Sequence, residues 1–221
     1  MFVTLPSNFS NALFQTNGSG RNGGALFISN TITIYSSQFI NNVANTGGGI
    51  YQATGGGQVA NTLMARNRAL SNAGMAMYLA PASTFHIFES TIGAPSLNSG
   101  DAVRVAGGNV TIEDTIITNH AIGLNRLGGT VFEDYNLFYG NTLSKFGSMT
   151  GGTHDVSSDP LFVNPGADNY HIRPVSAAIN TGTNVGILND IDGQTRPQNG
   201  GFDTGYDEAT TYYLNLPLIL R

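Results

Sequence analysis

The sequence contains no cysteine and no tryptophan, and only 10% of its 221 residues are charged. The absence of cysteine excludes disulfides, thiol nucleophiles and thiolate metal sites. Nine basic residues against 14 acidic ones give a formal net charge of -5, and the basic residues are scattered singly. Nucleic acid is therefore not an expected partner, because its binding depends on a clustered basic face.

Long apolar runs and helical periodicity are also missing. No apolar run approaches the roughly 18 residues of a membrane-spanning helix, so no membrane-spanning segment is expected. The first six residues lack the basic and apolar regions of a signal peptide. No stretch sustains the i, i+3, i+4, i+7 pattern of an amphipathic helix, which predicts few helices or none.

Glycine is abundant, with 29 residues, and it occurs within a repeat of about 25 residues. Each unit carries two apolar residues five positions apart. The pairs are Phe9/Phe14, Ile34/Phe39, Val59/Met64, Ile87/Ile92, Ile112/Ile117 and Phe132/Leu137. Units of this length cannot bury an apolar face alone, but stacked coils can, so the period predicts a solenoid.

The second half of each unit begins at a glycine and continues into a short apolar strand. Gly23, Gly47, Gly74 and Gly100 stand at equivalent positions, where glycine supplies the positive φ of a tight corner. The strands alternate apolar and polar residues, as half-buried strands do. Two further columns are expected to form hydrogen-bonded ladders. They are Ser37, Thr62, Ser90 and Thr115, and Asn17, Asn42 and Asn67. The chain is thus predicted to be an all-β solenoid of about six coils.

Two stretches resemble a known family. The run from Ser37 to Asn42, followed by Gly47 to Tyr51, is similar to the right-handed parallel β-helix repeats of bacterial extracellular proteins in the pectate-lyase-like superfamily. The motifs at 159–165, 168–174, 190–197 and 203–208 resemble the choice-of-anchor segment that closes many such proteins, although no Ala follows Gly205 as it does in that family. The resemblance implies a right-handed parallel β-helix and an extracellular or cell-surface location.

The point at which the repeat stops predicts three regions. Residues 1–152 are expected to form the coils, 153–205 an irregular capping and return segment, and 206–221 an apolar tail. Only residues 1–7 precede the first coil, so either the chain was cut from a longer solenoid or another copy covers this end. In the second case the tail would add as a strand to a neighbour, producing a head-to-tail homopolymer. The candidate assembly residues are Leu214, Leu216, Leu218, Ile219 and Leu220.

An acidic strip provides the candidate for chemistry. Glu89, Asp114 and Asp134 each stand two residues after the first apolar residue of a unit, and Glu113 and Glu133 are predicted to flank them. Neighbouring coils lie about 4.8 Å apart, which is close enough for the paired acids of glycoside hydrolysis or for Ca²⁺ ligation. The alternative is a row of solvated corner residues. A lyase would also need a base over the acids, and none of its candidates lies in the same column. Those candidates are Arg104, Arg126 and Lys145.

An aromatic column provides the candidate for ligand binding. Phe27, Tyr51 and Tyr78 share one outward position, and Arg104 follows them. Aromatic rows can grip pyranose rings, so a polysaccharide is one candidate partner, whereas stacked rings can equally serve as a structural ladder.

No diagnostic enzyme or cofactor motif stands out. The four histidines fall at unmatched phases of the repeat, so no zinc cluster is expected, and Ca²⁺ is the one cofactor considered. The sequence favours a non-enzymatic extracellular structural or adhesive solenoid that forms filaments. A polysaccharide lyase or hydrolase and a glycan-binding module remain as alternatives, because fold alone does not decide function.

Overall fold

The computed structural model describes residues 1–81, 84–198 and 200–210, and within them three parallel sheets stack into a β-solenoid of about six coils. The first sheet contains β1 (Phe2–Val3), β4 (Leu26–Ile28), β8 (Ile50–Gln52), β12 (Met77–Leu79), β15 (Asp101–Val105), β18 (Ile122–Arg126) and β21 (Leu143–Phe146). The second contains β2 (Ser7–Ser10), β5 (Ile32–Tyr35), β9 (Gly56–Ala60), β13 (Thr84–Phe88), β16 (Asn109–Glu113), β19 (Thr130–Asp134) and β22 (Thr150–Gly151). The third contains β3 (Leu13–Gln15), β6 (Gln38–Ile40), β10 (Leu63–Ala65), β14 (Thr91–Gly93), β17 (Ile116–Thr118) and β20 (Leu137–Tyr139).

Smaller elements complete the described chain. A short parallel pair joins β7 (Val43–Ala44) and β11 (Arg68–Ala69). Beyond the coils, β23 (Phe162–Asn164) and β24 (Asn169–Ile172) form an antiparallel pair around a 3-10 helix at Pro165–Ala167. The prediction of an all-β solenoid is confirmed, while its handedness stays a prediction. Among the described residues, no helix is long and apolar enough to cross a membrane.

The solenoid interior is built from aligned apolar columns. In the second sheet Ile34, Val59, Ile87 and Ile112 lie opposite one another in successive strands, and all are fully buried. Alternate residues of each strand point outward, which is the two-residue period of β structure. Stacking thus gives each coil an apolar neighbour that it could not supply alone.

The corners between sheets depend on left-handed backbone. Gly23, Gly47 and Gly74 have φ between 64° and 71°, as the glycine spacing predicted, whereas the equivalent Gly100 does not have a positive φ, so the prediction is wrong at that corner. The asparagine ladder is confirmed as well, because Asn17 donates through Nδ2 to Asn42 Oδ1, and Asn42 donates in the same way to Asn67, each at 2.9 Å. These bonds satisfy side chains that would otherwise be buried without partners.

The last coil departs from the predicted alignment. It is 21 residues long, so Glu133, and not Phe132, lies opposite Ile112 in the inner column. Phe132 is exposed. Lys145 takes the inner position opposite Leu124, and its Nζ lies 2.9 Å from Glu133 Oε1 and 2.7 Å from Asp155 Oδ2. Paired charges therefore replace apolar residues where the core ends.

Residues 153–210, called here the C-terminal segment, first cover the edge of the last coil and then return along the solenoid. Val156 pairs through its backbone with Asn136 and Phe138 at the edge of β20. Farther along, Tyr170 and Tyr206 pack on the outer face of the third sheet in a second apolar cluster. The middle strands of the third sheet, β10, β14 and β17, are consequently buried on both faces, by the solenoid interior and by this segment.

Candidate functional site

Two of the candidate acids, Glu89 and Asp114, occupy equivalent corners of successive coils. Because Phe88 lies opposite Glu113 in the sheet, the residues that follow them share one column, as predicted. Both have positive φ, 43° and 52°, which is the corner conformation between the second and third sheets. Neither side chain reaches solvent, since the relative exposure of both residues is 0%. The alternative interpretation of these two as solvated corner residues is therefore wrong.

The prediction that Asp134 continues this column is wrong. The 21-residue last coil places Asp134 opposite Glu113 and brings Tyr135 to the corner position. The predicted flanking pair is also misplaced, because Glu133 lies opposite Ile112 instead of Glu113. Asp134 Oδ2 instead lies 2.9 Å from His154 Nδ1.

The basic residue beside the acids is Arg196, which comes from the C-terminal segment and not from the coils. Arg196 Nη1 lies 2.7 Å from Glu89 Oε2 and donates to Glu208 Oε2 at 3.2 Å. Its Nη2 donates to the carbonyl oxygen of Gly205 at 2.7 Å. Asp114 Oδ1 accepts the backbone N–H of Thr183 at 2.8 Å. Arg196 is 107 positions from Glu89 and outside the repeat, so no periodic signal could connect them.

The electrostatics of this cluster are those of an enclosed, acid-rich site. Arg196 forms ion pairs with Glu89 and Glu208, and its charge also acts on Asp114 and Asp203. Burial raises the pKa of Asp114 to about 8 and that of Asp203 to about 7. It raises the pKa of Glu89 well above the usual range, although Arg196 opposes the change. One cation cannot balance four carboxylates in a low-dielectric interior, so protons are retained in the cluster.

This arrangement has the residue types of acid–base chemistry without access for a substrate. Arg196 is 4% exposed, and the C-terminal segment covers the two corner acids. What the cluster does is join the segment to the coils. The same geometry disfavours Ca²⁺ binding by these acids. Glu89 and Asp114 are enclosed with Arg196, and Asp134 pairs with His154.

The aromatic column forms as predicted. The rings of Phe27 and Tyr51 are 5.4 Å apart and those of Tyr51 and Tyr78 are 4.9 Å apart, with interplanar angles of 5° and 6°. Arg104 is next in register, and its Nε donates to Asp101 Oδ2 at 2.6 Å. Ring faces that are stacked on one another cannot also stack on a sugar, so the contacts favour the structural-ladder interpretation over the glycan-binding one.

The predicted assembly residues Leu214 to Leu220 lie outside the described residues. Within the described part, the column continues beyond the predicted members, with Arg104 and Asn125 standing between Tyr78 and Phe146. Phe2 precedes Phe27 in the column, and Phe146 ends it at the other end of the first sheet. The sequence signal for both was available, since each is an apolar residue at an outward position.

The chain matched no protein-family model, no curated protein and no solved structure.

Proposed function

We propose that this chain is a non-enzymatic structural solenoid of the cell exterior or surface whose copies stack head to tail. The observation that carries the proposal is that the first sheet ends in an exposed aromatic residue of the same column at both ends. Phe2 is 71% exposed on β1 and Phe146 is 50% exposed on β21. A second copy placed end to end would continue the column.

Open sheet edges support the same contact. Among the described strands, β1 and β2 are the edges of the first and second sheets at one end, and β21 and β22 are their edges at the other. Unpaired backbone groups on such edges are templates for pairing with another chain. Joining β21 of one copy to β1 of the next would extend the parallel first sheet, and joining β22 to β2 would extend the second. At the third sheet, Val156 already covers β20, so the contact would use two walls of the solenoid.

The two ends differ in their interiors, which sets the direction of stacking. The inner position at one end is filled by the half-buried rings of Phe9 and Phe14, and at the other by the ion pairs of Lys145. Unlike surfaces that meet in a repeating contact give a heterologous interface, and such an interface builds an open filament when it does not close into a ring. The enclosed Glu89 and Asp114 agree with a structural function, because no substrate reaches them.

Two substitutions test the contact without disturbing the core. Phe2→Lys and Phe146→Lys each place a positive charge on one exposed end, and Val175→Lys places one on a residue 79% exposed in the C-terminal segment. We expect the unaltered chain and Val175→Lys to form rods that lengthen with concentration. Each end variant alone should remain monomeric, because a head-to-tail contact needs both ends. Sedimentation velocity and negative-stain electron microscopy would measure this.

Mixing the two end variants distinguishes head-to-tail stacking from other contacts. The intact Phe146 end of one variant meets the intact Phe2 end of the other, so the mixture should give dimers and no filaments. Dimers of Phe146→Lys alone would instead indicate a symmetric contact between like ends. An unaltered chain that stays monomeric at high concentration would refute the proposal.

A further inference from the structure

A cluster of one imidazole and two carboxylates lies in the C-terminal segment, apart from the Arg196 cluster. His171 on β24 faces Asp192, and Asp207 lies on the third side. Nε2 of His171 is 2.9 Å from Asp192 Oδ2 and 4.0 Å from Asp207 Oδ1. One ligand atom from each residue lies within 4.8 Å of the others. Ligands of a tetrahedral Zn²⁺ with bonds of about 2.0 Å are about 3.3 Å apart, so the three groups are near ligating distance.

The hydrogen bonds of the imidazole fix which nitrogen is free. Asn169 Oδ1 accepts the backbone N–H of His171 at 3.2 Å and lies 2.8 Å from its Nδ1. An oxygen that accepts one N–H there can only accept another, so Nδ1 carries the proton. The hydroxyl of Tyr206 lies near the same nitrogen, at 3.4 Å. Nε2 faces the carboxylates, 2.9 Å from Asp192 Oδ2, and makes no hydrogen bond of good geometry with the described residues.

The carboxylates are arranged in the same way. Asp207 Oδ2 accepts the backbone N–H of Ile172 at 2.7 Å, which leaves Oδ1 to face the imidazole. Asp192 stands in a turn held by Asp190, whose Oδ1 accepts the N–H groups of Asp192 and Gln194. A nitrogen lone pair and two carboxylate oxygens repel one another unless a proton or a metal ion lies between them. Outer hydrogen bonds that orient a histidine ligand are typical of protein metal sites.

We infer that His171, Asp192 and Asp207 bind a divalent transition-metal ion, with Zn²⁺ as the probe. One imidazole and two carboxylates suit Zn²⁺ or Mn²⁺, whereas Ca²⁺ prefers oxygen ligands alone. Asp192 is the most exposed of the three, with 53% of its side chain accessible, so the ion can enter from solvent. Three parts of the C-terminal segment would be joined by the ion, and binding to the folded state alone would stabilise it.

The test uses tag-free full-length protein at pH 7.5 with Zn²⁺ and, for spectroscopy, Co²⁺. Isothermal titration calorimetry should show one equivalent of Zn²⁺ bound. Thermal unfolding should show that Zn²⁺ raises Tm by several degrees. Asp192→Asn should weaken binding at least tenfold, and Asp192→His, which restores a ligand, should recover most of it. Co²⁺ should give visible absorption that Asp192→Asn abolishes. Circular dichroism would verify that each variant is folded.

The matched control is His154→Asn. His154 also faces an aspartate at 2.9 Å, Asp134, but it has no second carboxylate within reach in the described clusters. Zn²⁺ affinity of this variant should equal that of the unaltered chain. The inference is overturned if the unaltered chain binds no Zn²⁺, which would leave only a direct contact between His171 and Asp192. It is equally overturned if Asp192→Asn leaves affinity unchanged or if Ca²⁺ competes at equal concentration.

Discussion

Replacing Asp114 with asparagine should stabilise the protein, and the gain should grow as the pH rises. Burial raises the pKa of Asp114 to about 8 in the folded chain, against about 3.9 in an unfolded one. Between these values the folded state holds a proton that the unfolded state releases. The free energy of unfolding therefore falls as the pH increases across this window. Asparagine has no such proton to lose.

The rest of the site should accept the change. The amide oxygen of asparagine can accept the Thr183 N–H that Asp114 Oδ1 accepts now. Asparagine also tolerates the positive φ of 52° at this corner. From the two pKa values, the stability difference between the variant and the unaltered chain should grow by about 3 to 4 kcal/mol between pH 5 and pH 8.

Urea unfolding at intervals from pH 5 to pH 8 measures this difference. Asp134→Asn is the control, and its effect should have the opposite sign. Burial alone would raise the pKa of Asp134, but hydrogen bonds from His154 and Tyr135 outweigh it and lower the pKa. Its ionised form thus stabilises the folded chain, and asparagine should cost stability near neutral pH. A difference for Asp114→Asn that stays flat with pH would refute a raised pKa and the enclosure of this corner.

Two further substitutions test other parts of the fold. Arg196→Met tests the contact between the C-terminal segment and the coils, and Gly47→Ala tests a corner of the coils. Arg196→Met should destabilise the chain by about 3 to 5 kcal/mol in urea at pH 7, because it leaves Glu89 buried without its cation; an unchanged midpoint would contradict the ion pair. Gly47→Ala should lower Tm, since φ is 65° and the added Cβ would lie 2.4 Å from the carbonyl oxygen of Ile50. Gly20→Ala, where no heavy atom lies within 4 Å, should leave Tm unchanged, and equal effects would rule out the corner argument.

The coils were predictable because their spacing reports on contacts between neighbours. Residues 25 positions apart, such as Ile34 and Val59, are adjacent in the sheet, so the apolar period measures the length of a coil. The 21-residue last coil broke the alignment of Asp134 because no further repeat followed to fix its register. A shift of one residue in a strand moves each side chain to the other face.

The C-terminal segment was not predictable in the same way. Arg196 meets Glu89 through a fold without periodicity, and His171 meets Asp192 and Asp207 through turns. One sequence signal does indicate that the segment covers the coils. Leu63 and Met64 are consecutive apolar residues in a strand, which indicates a strand buried on both faces. The same pattern in Ile116 and Ile117 predicts a covering layer over the third sheet.

The path of the C-terminal segment changes how this solenoid should unfold. In an ordinary solenoid each coil contacts only its neighbours, so coils can fray from an end one after another. Here Asp168 holds Arg66, and Tyr206 donates its N–H to Thr91, across separations of 102 and 115 residues. A middle coil can open only if the C-terminal segment is released, so the coils should unfold together in one transition. Because the C-terminal segment follows the coils in the chain, it can pack against them only after those coils have formed.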